Sequence, residues 1–169
     1  MAKRIASLFR STEGAVAPTV ALALVGLIAV GGIAFDYARM VGMHSELQNA
    51  ADQAALAAAT QLDGRPDARD RAEAAASNLV SNITRLSNDD NGAYVTIETV
   101  VFYQDEAKTP ATSDADARFA EVTVDGRMVR YALTPIVSLF NSGNIDAVAM
   151  AGLGSALCKV PPVMMCNPN

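Results

Sequence analysis

Residues 14–35 read GAVAPTVALALVGLIAVGGIAF, which is 22 consecutive positions without a charged side chain. A helix rises about 1.5 Å per residue, so a helical run of this length covers roughly the 30 Å hydrocarbon core of a bilayer. A cleaved signal has a shorter apolar core with a small-residue site after it, whereas the best such site here, 29–31, lies inside the run. A soluble core helix would need a large partner domain on all sides. The run therefore predicts a retained membrane anchor.

The charges on either side of this run predict its orientation. Lys3, Arg4 and Arg10 precede it, and Arg39 is the first basic residue after it. Basic residues stay on the cytoplasmic side of a membrane. We therefore expect a single-pass protein whose short N-terminus is cytoplasmic and whose remaining chain is outside.

Charge and composition restrict the partners of that exterior part. The first 13 residues carry three bases and one acid, while the rest carries ten bases and 17 acids, a net charge of −7. An acidic exterior argues against nucleic acid and anionic headgroups as ligands. Tryptophan is absent, which argues against a carbohydrate-stacking platform. We expect no cofactor and find no small-molecule substrate indicated; the bilayer itself is the first predicted partner.

The helical pattern continues beyond the apolar run, without proline, as far as a helix-ending Asp63-Gly64 pair. Small residues recur along one face of this segment at three-, four- and seven-residue spacings. The most distinctive of these face residues are Leu47, Ala50, Ala51, Ala54 and Ala58. Alanine faces let a neighbouring helix approach closely, so the pattern predicts a helix interaction seam. Two occupants remain open, a partner helix in an assembly or the protein's own following domain.

Asp36 and Arg39 mark the predicted membrane boundary, directly after the apolar run. They are three residues apart, which places them on neighbouring positions of one helix face. We expect Asp36 to be solvated or paired with Arg39.

Beyond the first helix, the sequence predicts a second helix followed by strands. Pro66 begins the helix, and an apolar face continues as far as Leu86. Strands are expected at 94–103, 118–124, 128–133 and 145–153, with an Asp125-Gly126 hairpin and a short helical turn at 135–140. Helices followed by sequential strands indicate an α+β fold with a small, mainly antiparallel sheet.

The expected organisation has five parts, and the last of them holds both cysteines. These parts are a cytoplasmic tail (1–13), a transmembrane segment (14–35), an alanine-rich extracytoplasmic helix (36–64), an α+β domain (65–157) and a C-terminal segment (158–169). In an oxidising exterior, Cys158 and Cys166 form a candidate local disulfide, with free thiols or an intermolecular bridge as alternatives.

No constellation typical of catalysis or metal binding stands out. The single histidine, His44, has no supporting nucleophile and acid, so we expect neither an enzyme nor a metal site. Residues 87–98 follow a calcium-loop template in part, but serine stands where the first aspartate belongs. A helix-to-strand turn accounts for the same residues.

The N-terminal region resembles TadG-like proteins of the bacterial tight-adherence (Flp) pilus machinery. The resemblance rests on EGAVA at 13–17, GIAFDYAR at 32–39 and ELQNAADQAALAAA at 46–59. It is specific over about residues 10–60 and looser beyond them, although CKVPPVMMCNP at 158–168 is similar to such proteins. It implies a single-pass inner-membrane accessory protein with a periplasmic domain, and other pilus-assembly or pilin-like proteins as partners.

Three functions follow as expectations from the residues and the resemblance. The leading one is an assembly component of a pilus or secretion system that acts by helix-mediated contact. The second is a minor pilin-like subunit processed near Gly14, although Thr19 stands where such processing normally needs glutamate. The third is an exported binding domain on a generic anchor. Many relatives continue into a von Willebrand A domain, whose D-x-S-x-S motif this sequence lacks, so the chain is either a short version or truncated.

Overall fold

The computed structural model describes residues 16–79, 83–92, 94–137 and 141–153. The described residues form two compact units, which are treated separately below. Unit 1 holds residues 16–47, 83–92, 94, 126–137 and 141–146, and unit 2 holds residues 48–79, 95–125 and 147–153. Helix α1 and strands β2 and β3 each contribute residues to both units.

Helix α1 is one continuous helix, Val16–Ala59. Its 44 residues correspond to about 66 Å, so the predicted continuation of the apolar run into an alanine-rich helix is confirmed. The α-helical bonding ends before the predicted Asp63-Gly64 stop. Gln61 and Leu62 donate to carbonyls three residues earlier, and Gly64 then takes a left-handed φ of 74°.

The two halves of α1 differ in burial. Leu22, Leu27 and Val30 are 68–74% exposed, and only 6% of an 18-residue apolar window is buried. A soluble core helix would be covered, so this exposure contradicts the core-helix alternative. Within the described residues, α1 is the one helix long and apolar enough to cross a membrane.

Helix α2 is Ala68–Leu79, so it ends seven residues before the predicted end at Leu86. Ile83 instead forms an isolated bridge with Tyr94. The segment after Ala76 is rich in serine, asparagine and threonine, which favour turns over helix interiors. The apolar positions therefore continue in sequence beyond the point where the helix ends.

The sheet has three antiparallel strands in the order β1-β2-β3: Ile97–Tyr103, Phe119–Arg130 and Ser142–Gly152. Strand β1 pairs antiparallel with β2, from Ile97 opposite Val124 to Tyr103 opposite Phe119. A 3-10 helix, Thr134–Val137, precedes β3. It replaces the start of the helical turn expected at 135–140, and residues 138–140 lie outside the described residues. The α+β prediction is confirmed.

The hairpin predicted at Asp125-Gly126 is wrong, because both residues lie inside the single strand β2. A type I′ turn needs a positive φ at its two central residues, and neither residue has one. Gly126 serves close packing instead, since a Cβ there would lie 3.2 Å from the Asn144 amide. The buried positions of β2 also change parity here, from Val124 to Arg127.

Each unit buries its own small apolar side chains. In unit 2, alanines from both helices and alternating valines of β2 form the core: Ala50, Ala51, Ala54, Ala58, Ala68, Ala72, Ala76, Val122 and Val124. In unit 1, the buried apolar residues are Met43, Leu47, Val129 and Ile145. One face of each long strand is buried and the other is exposed, as in a one-sided antiparallel sheet.

Candidate functional site

A buried carboxylate at the end of the apolar run organises unit 1. Asp36 is 1% exposed, and its side chain accepts three backbone hydrogen bonds. Oδ1 accepts the N–H of Ala132 at 2.9 Å, while Oδ2 accepts the N–H groups of Leu133 at 2.9 Å and Thr134 at 2.7 Å. These donors lead into the 3-10 helix Thr134–Val137. Asp36 thus caps that helix from a position almost one hundred residues earlier in the chain. We call this arrangement the boundary clamp.

The boundary clamp keeps the carboxyl ionised. Burial raises the pKa of Asp36, but the N–H groups of Thr134, Ala132 and Leu133 lower it more, so that the pKa falls from 3.8 to about 2. Hydrogen bonds to a charged carboxylate are stronger than those between neutral groups. At neutral pH the clamp therefore has a full negative charge that backbone donors satisfy.

This geometry corrects the expectation for the boundary residues. Asp36 is neither solvated nor held by Arg39. The Arg39 guanidinium instead lies 3.4 Å from the carbonyl of Leu86. The prediction was wrong because the partners of Asp36, residues 132–134, are distant in sequence, and a local pattern does not reveal them.

A close contact lies about one turn before Asp36, on the same helix. A Cβ at Gly32 would be 2.8 Å from the Cβ of Leu133, so no larger residue fits there without a shift. Gly32 belongs to the apolar run, whereas Leu133 donates to Asp36. Residues 131–137, which we call the clamp loop, therefore contact α1 both at the Asp36 carboxylate and inside the apolar segment.

Two further contacts hold unit 1 along α1. The Tyr131 hydroxyl donates to the Met40 sulfur at 3.6 Å, and the Glu46 carboxylate accepts the N–H of Arg85 at 3.0 Å. Contacts to later segments of the chain thus recur from residue 32 to residue 46. They join these segments directly to the helix that begins in the apolar run.

A second polar centre of unit 1 surrounds Arg127. Its guanidinium binds Asp89 through two bonds of 2.8 Å and also donates to the Ser87 hydroxyl and the Gly92 and Tyr94 carbonyls at 2.6–3.0 Å. The side chains of Arg127 and Asp89 are 5% and 4% exposed. The Arg127 guanidinium holds the pKa of Asp89 far below its usual range, although burial acts in the opposite direction.

This centre accounts for the partial calcium-loop pattern at 87–98. Ser87 and Asp89 turn towards a guanidinium, which supplies the positive charge that the loop needs. Among the residues that the structure describes, no group of three or more His, Cys, Asp or Glu side chains could hold a metal. The chemistry of the Arg127 centre is structural, since it joins the loop to strand β2 by a buried, bidentate ion pair.

The predicted interaction seam is covered by the protein's own chain. Leu47, Ala50, Ala51, Ala54 and Ala58 all have 0% exposure. A partner helix that used these side chains would first have to displace this packing. Another face of the same helix is free, as Leu56 is 61% exposed and lines a shallow groove of about 410 Å³ in unit 2.

The candidate disulfide, Cys158 with Cys166, lies outside the described residues. The features that sequence reasoning missed are the burial of Asp36 and the role of Arg127. A signal for the second exists, because Arg127 and Val129 are two positions apart in strand β2 and therefore face the same side of the sheet. A charged residue among inward-facing valines indicates a buried partner. The sequence offers no comparable signal for the first.

The fold and the site together define a class of protein. It is an α+β protein with an exposed apolar helix, and its two buried polar centres join segments that are distant in sequence. Residues 14–61 match a family model described as putative Flp pilus-assembly TadE/G-like. The match includes the apolar run, Asp36 and the alanine-rich half of α1, and it confirms the resemblance found there. It supports a role in pilus assembly. Comparison with curated proteins and with solved structures gives no match.

Proposed function

We propose that this protein is a single-pass inner-membrane accessory component of a tight-adherence pilus assembly system. Residues 1–13 are cytoplasmic, residues 14–35 cross the membrane, and the chain from residue 36 onward lies in the periplasm. The observation that carries the proposal is the TadE/G-like match over residues 14–61, which spans the whole of helix α1, Val16–Ala59. The role is assembly by protein contact rather than catalysis.

The helix-mediated contact is assigned to the outward face of α1 in unit 2. Leu56 is 61% exposed on this face, and Gln53, Thr60 and Gln61 line the groove around it. The buried seam residues lie on the opposite side of the helix, where Ala54 and Ala58 pack against the rest of unit 2. Amphipathic helices dock on partners through apolar anchors, and the exposed Leu56 between polar neighbours supplies one.

In-cell photocrosslinking tests this contact. A photoreactive amino acid at Leu56 should give an adduct with a second pilus-assembly protein, identified by mass spectrometry. The matched control is Ala54, two residues away and fully buried, which should give no such adduct. Adducts that persist unchanged in cells without the pilus-assembly genes would contradict the proposal.

Topology and processing are tested separately. In a chain with Cys158→Ser and Cys166→Ser, Met128→Cys should react with a membrane-impermeant thiol reagent in intact spheroplasts, because Met128 is 43% exposed. If the cysteine of Met128→Cys reacted only after lysis, the orientation would be the reverse of the one proposed. The intact mass of the membrane-extracted protein should be that of a chain that retains residues 1–14. A mass that corresponds to the loss of these residues would indicate a processed pilin-like subunit.

A further inference from the structure

The clamp loop, residues 131–137, reaches α1 at the depth of the apolar run. Leu133 contacts Gly32, which lies three residues before the last apolar position, Phe35. At about 1.5 Å per residue, this contact is roughly 4–5 Å inside the end of the run. If residues 14–35 cross the bilayer, as the proposed function holds, Leu133 lies within the membrane interface.

The sequence of the loop suits that position. Residues 131–145, YALTPIVSLFNSGNI, form the longest uncharged run after the apolar segment. Leu133 is 40% exposed, and Ile33 and Phe35 on α1 are 40% and 52% exposed. Exposed apolar residues of the loop and of the helix thus occur at the same level of α1. Water is a poor solvent for such a combined surface, whereas the boundary between acyl chains and headgroups is a good one.

The boundary clamp also satisfies the polar groups of the loop. Irregular backbone near lipid must have its N–H groups bonded internally, because the hydrocarbon offers no acceptor. Asp36 accepts the N–H groups of Ala132, Leu133 and Thr134 at the point where they approach the apolar run. The same carboxylate that positions the loop therefore removes the main cost of placing it at a membrane.

We infer that the loop at 131–137 is a second membrane contact, seated on the bilayer interface beside the emerging helix α1. The occupant of this surface is lipid of any headgroup charge, since the segment carries no charged side chain to select anionic headgroups. The protein thus has one spanning element and one interfacial element. This inference rests on the proposed membrane anchor.

Single-tryptophan fluorescence tests the inference, because the chain has no tryptophan of its own. The full-length variant Leu133→Trp is reconstituted into phosphatidylcholine liposomes, with and without brominated acyl chains. Two reference variants bracket it. Phe35→Trp reports the end of the apolar run, and Met128→Trp reports an exposed strand face that it shares with Arg130, whose ion pair with Asp90 is exposed.

The expected result is blue-shifted emission at position 133 and quenching by brominated lipid close to that at position 35. Position 128 should be quenched by aqueous acrylamide instead. Ala132→Trp, at an exposed neighbouring position, repeats the measurement if the larger side chain at 133 disturbs the contact with Gly32. Replacing a third of the lipid with phosphatidylglycerol should leave the quenching at 133 unchanged.

Acrylamide quenching at positions 132 and 133 equal to that at 128, with lipid quenching retained at 35, would overturn the inference while leaving the anchor intact. Loss of lipid quenching at position 35 would instead overturn the anchor and the inference together. Lipid quenching at 133 that appears only with phosphatidylglycerol would overturn the assignment to lipid of any charge.

Discussion

Replacement of Asp36 by alanine tests the boundary clamp directly. The substitution removes the acceptor of three backbone N–H groups at 2.7–2.9 Å. Thr134 is 6% exposed, so water cannot replace its lost partner, whereas Ala132 and Leu133 are exposed and can be rehydrated. A buried unsatisfied donor costs about 1–3 kcal/mol, and each rehydrated bond costs about 0.5–1.5 kcal/mol. The free energy of unfolding should therefore fall by about 2–6 kcal/mol.

The measurement is denaturant unfolding of the full chain in detergent micelles, together with hydrogen exchange of the peptide that covers residues 131–137. Asp36→Ala should accelerate exchange in that peptide. Asp36→Asn should have an intermediate effect, because it keeps one acceptor oxygen but directs an amide N–H₂ at a backbone donor. The matched control is Asp52→Ala on the same helix, where the carboxylate is exposed and accepts a bond from Gln48. Exposed substitutions usually change stability by less than about 0.5 kcal/mol.

Two outcomes would refute this reasoning. The first is a loss of stability for Asp36→Ala no greater than for Asp52→Ala. The second is unchanged exchange at 131–137 despite a real loss of stability, which would mean that Asp36 acts elsewhere than on the clamp loop.

Three further predictions concern the same unit. Arg127→Lys keeps the charge but loses the bidentate hydrogen bonds to Asp89, and it should lower the free energy of unfolding in denaturant by about 2–4 kcal/mol. The control Arg130→Lys, in an exposed ion pair, should lower it by less than about 1 kcal/mol. Gly32→Ala should cost about 1–3 kcal/mol and accelerate exchange at 131–137, because its Cβ meets Leu133. The control Gly31→Ala, with nothing within 4 Å, should cost no stability and should leave that exchange unchanged. Because folding lowers the pKa of Asp36, its contribution is complete above about pH 4 and is lost as the pH falls through about 2. Thermal unfolding should therefore show a smaller acid-induced loss of stability in Asp36→Asn than in the wild type.

The elements that could be predicted are those encoded by nearby residues. The apolar run, its continuation as α1 and the presence of a strand-rich second half follow from composition and periodicity alone. The sequence predicts the ends of helices less accurately. The second helix is expected to reach Leu86, but α2 ends at Leu79. Apolar spacing predicts which face of a helix is buried, whereas the end depends on how well serine and asparagine compete for the backbone.

The polar centres could not be predicted because their partners are distant in sequence. Asp36 binds residues 132–134, and Arg127 binds Asp89, 38 positions earlier. At Asp125-Gly126 the local signal was strong but misleading. That dipeptide favours a turn only when the strand is free to reverse, and here the peptide N–H of Asp125 is already bound to the carbonyl of Thr96 in the sheet.

The family match and the boundary clamp divide the chain in an informative way. The matched segment, 14–61, contains Asp36 and Gly32, whereas their contacts, residues 132–134, lie outside it. A carboxylate buried at the end of an apolar run is costly unless backbone or charged partners satisfy it. The buried Asp36 of the matched segment is therefore satisfied by a loop from outside that segment, through the N–H groups of residues 132–134. In any other chain that buries an acidic residue at the same place on this helix, backbone or charged partners of this kind should accompany it.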